Sequence, residues 1–249
     1  MKKVRLIIAL FVSVQLFVCC TNGERTNTSL VQVDSLLRGG FVDSAYNKLG
    51  SVLPSQLRSE ADSSYYFLLH AQASYRMYKP AAPMKWLDFA IRYYLKIGHD
   101  AEKLASAYYY KGMLLYENGD VRNGVLNLKN AEFIAAKSTD TELRHKIFES
   151  LSVVNDDAGE FRMAISYAKK SLAESEKSGN VNWLAHAYNN LAVLSSKIGR
   201  SDRASYYLKM CTSVLRHVPS KDEKIVLNNV GAYLMHTNAT LAKRYFCQI

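Results

Sequence analysis

The chain has 249 residues, of which 49% are apolar, and it carries a formal net charge of +10. This length suits one large domain or one repeat array, and the apolar content excludes an intrinsically disordered chain. With only 4 prolines, and with many alanines and leucines beside its 17 tyrosines, the composition favours helices over a β-sandwich or a β-barrel.

The charged and cysteine residues exclude several classes of function. Basic residues are scattered among acidic ones and form no long run, which predicts a solvated surface and no nucleic-acid binding. A mildly basic surface still suits acidic partners or anionic lipid headgroups. The four cysteines lack the spacing of a paired metal site, and we expect no metal or other cofactor. Cys211 and Cys247 are interpreted as small packed residues or a free thiol.

Residues 1–20 have the pattern of an export signal. Lys2 and Lys3 precede an apolar stretch from Leu6 to Val18, which is short for a bilayer span but suits a secretory signal. The polar residues 21–28 that follow are predicted to form a tether.

The end of this signal resembles that of bacterial lipoproteins, in which a cysteine at the cleavage point is acylated. The resemblance implies Cys20 as the lipid attachment site, with Cys19 as the alternative, because neither fully meets the usual pattern of preceding residues. An ordinary cleaved signal or a marginal membrane anchor is the other interpretation. We therefore expect a bacterial envelope protein, anchored by lipid and facing the periplasm or the cell surface.

Residues 29–99 predict divergent helix pairs. A turn at Gly39–Gly40 separates the first two helices. The segments Tyr65–Tyr78 and Met84–Leu95 are predicted as the next two helices, joined by a turn at 79–83 without glycine.

A repeat of 40 residues organises residues 100–249. Gly119, Gly159 and Gly199 follow one another at this interval, and each stands between two helical patterns. Glycine at such a point adopts the left-handed conformation that ends a helix. Small residues, which let two helices approach closely, recur on both sides of the turn: Gly112, Ser152 and Ala192 before it, and Gly124, Ala164 and Ala204 after it.

Helix boundaries are also predicted by local patterns. Gly98 with Asp100, and Gly179 with Asn180, indicate a helix end followed by a new N-cap. Thr139 followed by Glu142 has the pattern of a capping box.

The repeat resembles the tetratricopeptide repeat (TPR), which has a small residue on the first helix, a turn glycine, and small and large residues on the second. The resemblance implies an all-α fold, a right-handed α-α superhelix of about six helix pairs, that binds a protein or peptide. The period exceeds the usual length of about 34 residues and resembles long-repeat subfamilies that bind regulatory peptides or motor cargo. The last unit, from Asn228, stops inside its second helix, which suggests truncation or an open end through which the chain oligomerises.

In the TPR family, the first helices line a concave groove, and the repeat register assigns candidates to it. Asn190 and Asn229 occupy the position where peptide-binding relatives place an amide for the peptide backbone. Alternatively, these amides are part of the fold consensus, and the pair Tyr109–Tyr110 packs in the core. The groove candidates are Tyr109, Tyr110, Asp156, Asn189, Asn190, Asn228 and Asn229, together with Met113, Tyr116, Lys146, Glu149, Val153, Asp157, His186, Lys197 and His236.

No pattern predicts catalysis. The six histidines show no i, i+4 pair, and the adjacent carboxylates Asp156 and Asp157 point in different directions on a helix. A phosphate-binding glycine-rich loop and a nucleophile elbow are also missing from the sequence. We therefore predict a non-catalytic scaffold tethered to the envelope. The alternative is the sensory portion of a signalling or transcriptional regulator whose output domain is missing from this chain, similar to the TPR sensory regions of Bacteroidetes envelope regulators.

Overall fold

A computed structural model describes residues 27–80 and 82–215 of the chain. Within these ranges it contains ten α-helices and no β-strand. None of these helices is both long enough and apolar enough to span a bilayer. The predicted signal at 1–20, both candidate lipidation cysteines, and the unit that starts at Asn228 lie outside the described residues.

The chain divides between Lys79 and Pro80 into two compact units. The first unit contains α1 (Thr28–Arg38), α2 (Val42–Gly50), a 3₁₀ turn (Pro54–Gln56) and α3 (Glu60–Arg76). The predicted turn between the first two helices is confirmed, because Gly40 has a φ of 81°. The core of this unit is formed by residues that repeat at helical spacing: Leu30, Val33, Leu37, Ala45, Leu49 and Leu69.

The second unit consists of seven helices in antiparallel succession. They are α4 (Met84–Ile97), α5 (Ala101–Glu117), α6 (Val121–Ala135), α7 (Thr141–Asp157), α8 (Phe161–Ser178), α9 (Val181–Lys197) and α10 (Ser201–Leu215). The three predicted turn glycines lie after α5, α7 and α9, where Gly119, Gly159 and Gly199 have φ values of 86°, 75° and 74°. The 40-residue repeat is therefore a repeat of helix pairs, with α5, α7 and α9 as the first helices.

The predicted helix boundaries are confirmed at two of three places. Gly98 and Gly179 end their helices in the left-handed conformation, and the side chains of Asp100 and Asn180 cap the next helices. The predicted capping box at Thr139 is wrong by one residue. Asp140 is the N-cap of α7 and accepts a hydrogen bond of 3.0 Å from the backbone N–H of Leu143.

Two small residues let α5 and α6 approach until their backbones almost touch. A Cβ atom added at Gly112 would lie 3.0 Å from both the carbonyl oxygen of Gly124 and the backbone nitrogen of Leu128. Both atoms belong to the backbone of α6, so neither moves away without shifting the helix. At Gly112 and Gly124, the small residues predicted from the sequence are therefore required by helix contact.

We expect Gly112→Ala to lower the free energy of unfolding by about 1–3 kcal/mol, because the added methyl group forces the two helices apart. Urea unfolding followed by circular dichroism measures this loss. The control is Gly50→Ala, since a Cβ atom at Gly50 would meet nothing within 4 Å. An equal loss in both variants would contradict the steric explanation.

Candidate ligand-binding face

The first helices of the repeats lie side by side and are joined by side-chain hydrogen bonds. Between α5 and α7, the Oγ atom of Ser150 donates to the hydroxyl oxygen of Tyr109 at 3.4 Å. Between α7 and α9, the Nδ2 atom of Asn190 donates to the Oγ atom of Ser152 at 3.0 Å. We call the exposed and half-exposed side chains along α5, α7 and α9 the first-helix face.

An apolar row crosses the first-helix face. Residues that are 40 apart occupy equivalent positions on successive first helices, and Met113, Val153 and Val193 form one such set. Met113 and Val193 are half-buried, while 44% of Val153 is exposed. Val193 is not among the groove candidates predicted from the sequence, although its position one repeat after Val153 predicts it.

A polar border lies one helical turn beyond this row. The hydroxyl of Tyr116 on α5 donates a hydrogen bond to the carboxylate of Asp157 on α7, and this bond, together with burial, raises the pKa of Tyr116 to about 12. The Nζ atom of Lys197 on α9 lies 2.8 and 2.7 Å from the carboxylate oxygens of Asp156. The border therefore fixes the C-terminal ends of the three helices to one another.

On the other side of the apolar row, the equivalent residues Tyr109, Glu149 and Asn189 form a row of hydrogen-bond acceptors. Burial and the nearby charge of Glu149 raise the pKa of Tyr109 to about 12. The carboxylate of Glu149 lies 3.6 Å from the Nε2 atom of His145. The Oδ1 atom of Asn189 is buried and has no hydrogen-bond partner.

Several predicted groove residues are not exposed surface. Tyr109 and Tyr110 are only 6% and 4% exposed, and their rings meet edge to face at 5.0 Å, so both are core residues and not open anchors. Asn189 is also buried, with 8% exposed. The amide of Asn190 is half-buried and is already bonded to Ser152.

The predictions for Asp156 and for the last repeat unit have different outcomes. Asp156 is placed on the first-helix face, but its charge is already compensated by Lys197. Asn228, Asn229 and His236 lie outside the described residues.

Among the described residues, Cys211 lies on a second helix, away from this face. The thiol of Cys211 is buried on α10, donates to the carbonyl oxygen of Ala185 at 3.3 Å, and has its pKa raised to about 12 by burial. Such a thiol stays protonated and unreactive. Within residues 27–80 and 82–215, His, Cys, Asp and Glu side chains form no group of three or more that is able to hold a metal ion.

Comparison with known proteins identifies the fold. No protein-family model matches the chain, and no curated protein matches its sequence. BtubC (BKLC) from P. vanneervenii is 17% identical over 92% of each chain, with a TM-score of 0.62. A kinesin light chain with TPR-like repeats from Podospora anserina is 17% identical over 78% of this chain and 96% of its own, with a TM-score of 0.55.

A third similar structure contains a peptide. The Rap conjugation gene regulator of the plasmid pLS20, solved with the Phr* peptide, is 14% identical over 88% of this chain and 61% of its own, with a TM-score of 0.63. Identities this low establish the fold alone. The predicted all-α, TPR-like solenoid is confirmed.

Proposed function

We propose that this chain is a non-catalytic scaffold that binds a protein or peptide on its first-helix face. We further propose that it is exported and tethered to the bacterial envelope by a lipid on Cys20. The likeness to a TPR-like regulator that was solved with a peptide supports the first part. The second part rests on the pattern of residues 1–20.

The apolar row of Met113, Val153 and Val193 carries the binding proposal. Apolar side chains at the same position on three neighbouring helices, exposed at Val153 and half-buried at Met113 and Val193, offer a strip that a partner buries on binding. The polar groups Asp156, Asp157 and Lys197 border the strip on one side, and Glu149 borders it on the other. A few polar groups beside an apolar surface orient a bound ligand.

We expect Val153→Asp to remove binding of the native partner, because it places a charge in the middle of the apolar row. The full chain is used as bait in extracts of the native envelope, and captured proteins are quantified by mass spectrometry. Met163→Asp on α8 is the matched control, since Met163 is 48% exposed and lies on a second helix. A partner lost from both variants, or kept by both, would place binding elsewhere on the chain.

The tether is tested separately by metabolic labelling. We expect Cys20→Ala to abolish incorporation of radiolabelled palmitate, whereas Cys19→Ala keeps it, because only the cysteine at the cleavage point is acylated. Labelling lost only in Cys19→Ala would identify the other cysteine. Absence of label in the unsubstituted chain would favour an ordinary cleaved signal.

The second candidate function is the sensory portion of a signalling or transcriptional regulator. The likeness to the pLS20 conjugation gene regulator favours it. In a sensor, binding of a peptide to the first-helix face changes the affinity of the chain for a second partner. Repeating the capture experiment with and without saturating peptide distinguishes the two functions, because a scaffold keeps the same other partners in both conditions.

A further inference from the structure

The first-helix face has an excess of negative charge, although the chain as a whole has a net charge of +10. Every lysine and arginine on α5, α7 and α9 already has a carboxylate partner. The pairs are Lys103 with Asp100, Lys111 with Asp88, Arg144 with Glu174, Lys146 with Glu142, and Lys197 with Asp156. Among the described residues, four carboxylates on this face remain without a lysine or arginine partner: Glu102, which accepts a hydrogen bond from Ser138, and Glu117, Glu149 and Asp157.

Glu149 is the central member of this group. It lies on α7, the middle one of the three first helices, and its ion-pair contact is with His145 at 3.6 Å. Burial lowers the pKa of His145 more than the charge of Glu149 raises it, so the imidazole is neutral near pH 7. The charge of Glu149 is therefore not compensated within the described part of the chain.

The neighbouring position on α9 supplies an independent observation. Asn189 is 8% exposed, occupies the position equivalent to Glu149, and has a buried Oδ1 atom without a hydrogen-bond donor. On α5, the hydroxyl oxygen of Tyr109 already accepts a bond from Ser150. Because an unpaired buried acceptor is unfavourable, an N–H donor from a ligand that reaches Asn189 would stabilise this row.

We infer that the segment bound on the first-helix face carries a lysine or arginine, whose cation lies at Glu149, and an apolar side chain within two residues of it, which lies on the row of Met113, Val153 and Val193. This inference rests on the proposed function. It adds that the partner is a cationic peptide and not an acidic one.

The spacing of the two rows fits an extended peptide. Glu149 and Val153 are one helical turn apart, a rise of about 6 Å. Residues i and i+2 of an extended chain lie about 7 Å apart on the same side. The backbone N–H groups and the cation of such a peptide supply the donors that Asn189 and Glu149 need.

The test uses the full chain and a phage-displayed library of random peptides of about twelve residues. We expect the selected peptides to be enriched in lysine or arginine beside an apolar residue. A fluorescein-labelled selected peptide should bind about five- to tenfold more weakly to Glu149→Gln, and its affinity should fall as salt is added. Glu142→Gln is the matched control, because Glu142 is similarly exposed but is already paired with Lys146.

The outcomes separate this inference from the proposed function. Peptides that lose binding to Val153→Asp but bind Glu149→Gln normally would overturn the cationic partner and leave the proposed function standing. If Glu142→Gln and Glu149→Gln weaken peptide binding equally, the inference is also overturned, because the effect would then come from any carboxylate on α7 and not from a contact with Glu149. If no peptide is selected, or if the selected peptides ignore Val153→Asp, both the proposed function and this inference are overturned.

Discussion

Replacing Arg144 with alanine is expected to lower the free energy of unfolding by about 2–4 kcal/mol. The Nε and Nη2 atoms of Arg144 lie 3.0 and 2.8 Å from the Oε2 atom of Glu174, whose side chain is 7% exposed. Without the guanidinium, this carboxylate keeps only Lys177, whose side chain is 61% exposed. Arg144 also donates to the carbonyl oxygen of Ser138, so the variant removes one of the hydrogen bonds that hold the loop between α6 and α7.

The control for this variant lies two residues further along α7. Lys146→Ala breaks an ion pair with Glu142 that is partly exposed on one helix, and such pairs contribute about 0.3–0.5 kcal/mol. Urea unfolding of both variants at neutral pH measures the difference. Losses of similar size would show that the contact between Arg144 and Glu174 is no stronger than a surface ion pair.

The contact between Arg144 and Glu174 also makes the free energy of unfolding depend on pH in the acidic range. Burial alone would raise the pKa of Glu174, but the hydrogen bonds and charges of Arg144 and Lys177 outweigh it and hold the pKa below its ordinary value. The contribution of Glu174 is therefore complete above the ordinary carboxyl pKa and is lost as the pH falls through the folded-state value. Arg144→Ala should reduce this acid-dependent part of the unfolding free energy.

The repeat architecture was predictable because its determinants are local. A glycine at the end of each first helix, and small residues at fixed distances from it, specify a turn and a close helix contact without knowledge of distant residues. Gly112 and Gly119 illustrate this, since the first meets the backbone of α6 and the second has a positive φ. The error at Thr139 is also local, because two adjacent residues are both good N-caps and the helix begins after the second, Asp140.

The binding face was less predictable because it depends on contacts between repeats. The repeat register predicts which helix face Tyr109 and Tyr110 lie on. It does not predict how far the neighbouring helices cover that face of α5, so the burial of both tyrosines was not predictable. Asn190 has the amide expected of a peptide clamp, but its bond to Ser152, 38 residues away, uses that amide inside the fold. The pair of Arg144 and Glu174 likewise has no local signal, since its members are 30 residues apart.

Replacing Trp183 with alanine is the second large change that we expect, at about 2–4 kcal/mol of unfolding free energy. The expected loss is smaller than the roughly 3–5 kcal/mol typical of a fully buried tryptophan, because Trp183 is only half-buried. Its indole stacks on the imidazole of His145, with ring centroids 4.9 Å apart and an angle of 10° between the planes. The hydroxyls of Ser171 and Ser175 lie 2.9 and 3.0 Å from the Nδ1 atom of the same imidazole.

This variant should also change how stability depends on pH. Burial lowers the pKa of His145, opposed by the charge of Glu149 and assisted by those of Lys146 and His186. His145 therefore contributes full stability above its unfolded pKa of about 6.5, and this contribution falls as the pH drops through the folded-state value. Removing the indole admits water to the imidazole, so its pKa returns toward the ordinary value and the pH dependence becomes weaker.

Urea unfolding of the unsubstituted chain, Trp183→Ala and Trp183→Phe at about pH 7.5 and about pH 5.5 tests both effects. Trp183→Phe should keep most of the pH dependence, because a phenyl ring still covers the imidazole. His145→Asn provides the reference for a site that does not titrate in this range. If Trp183→Ala is as acid-sensitive as the unsubstituted chain, the helices around His145, and not the indole, keep water from the imidazole.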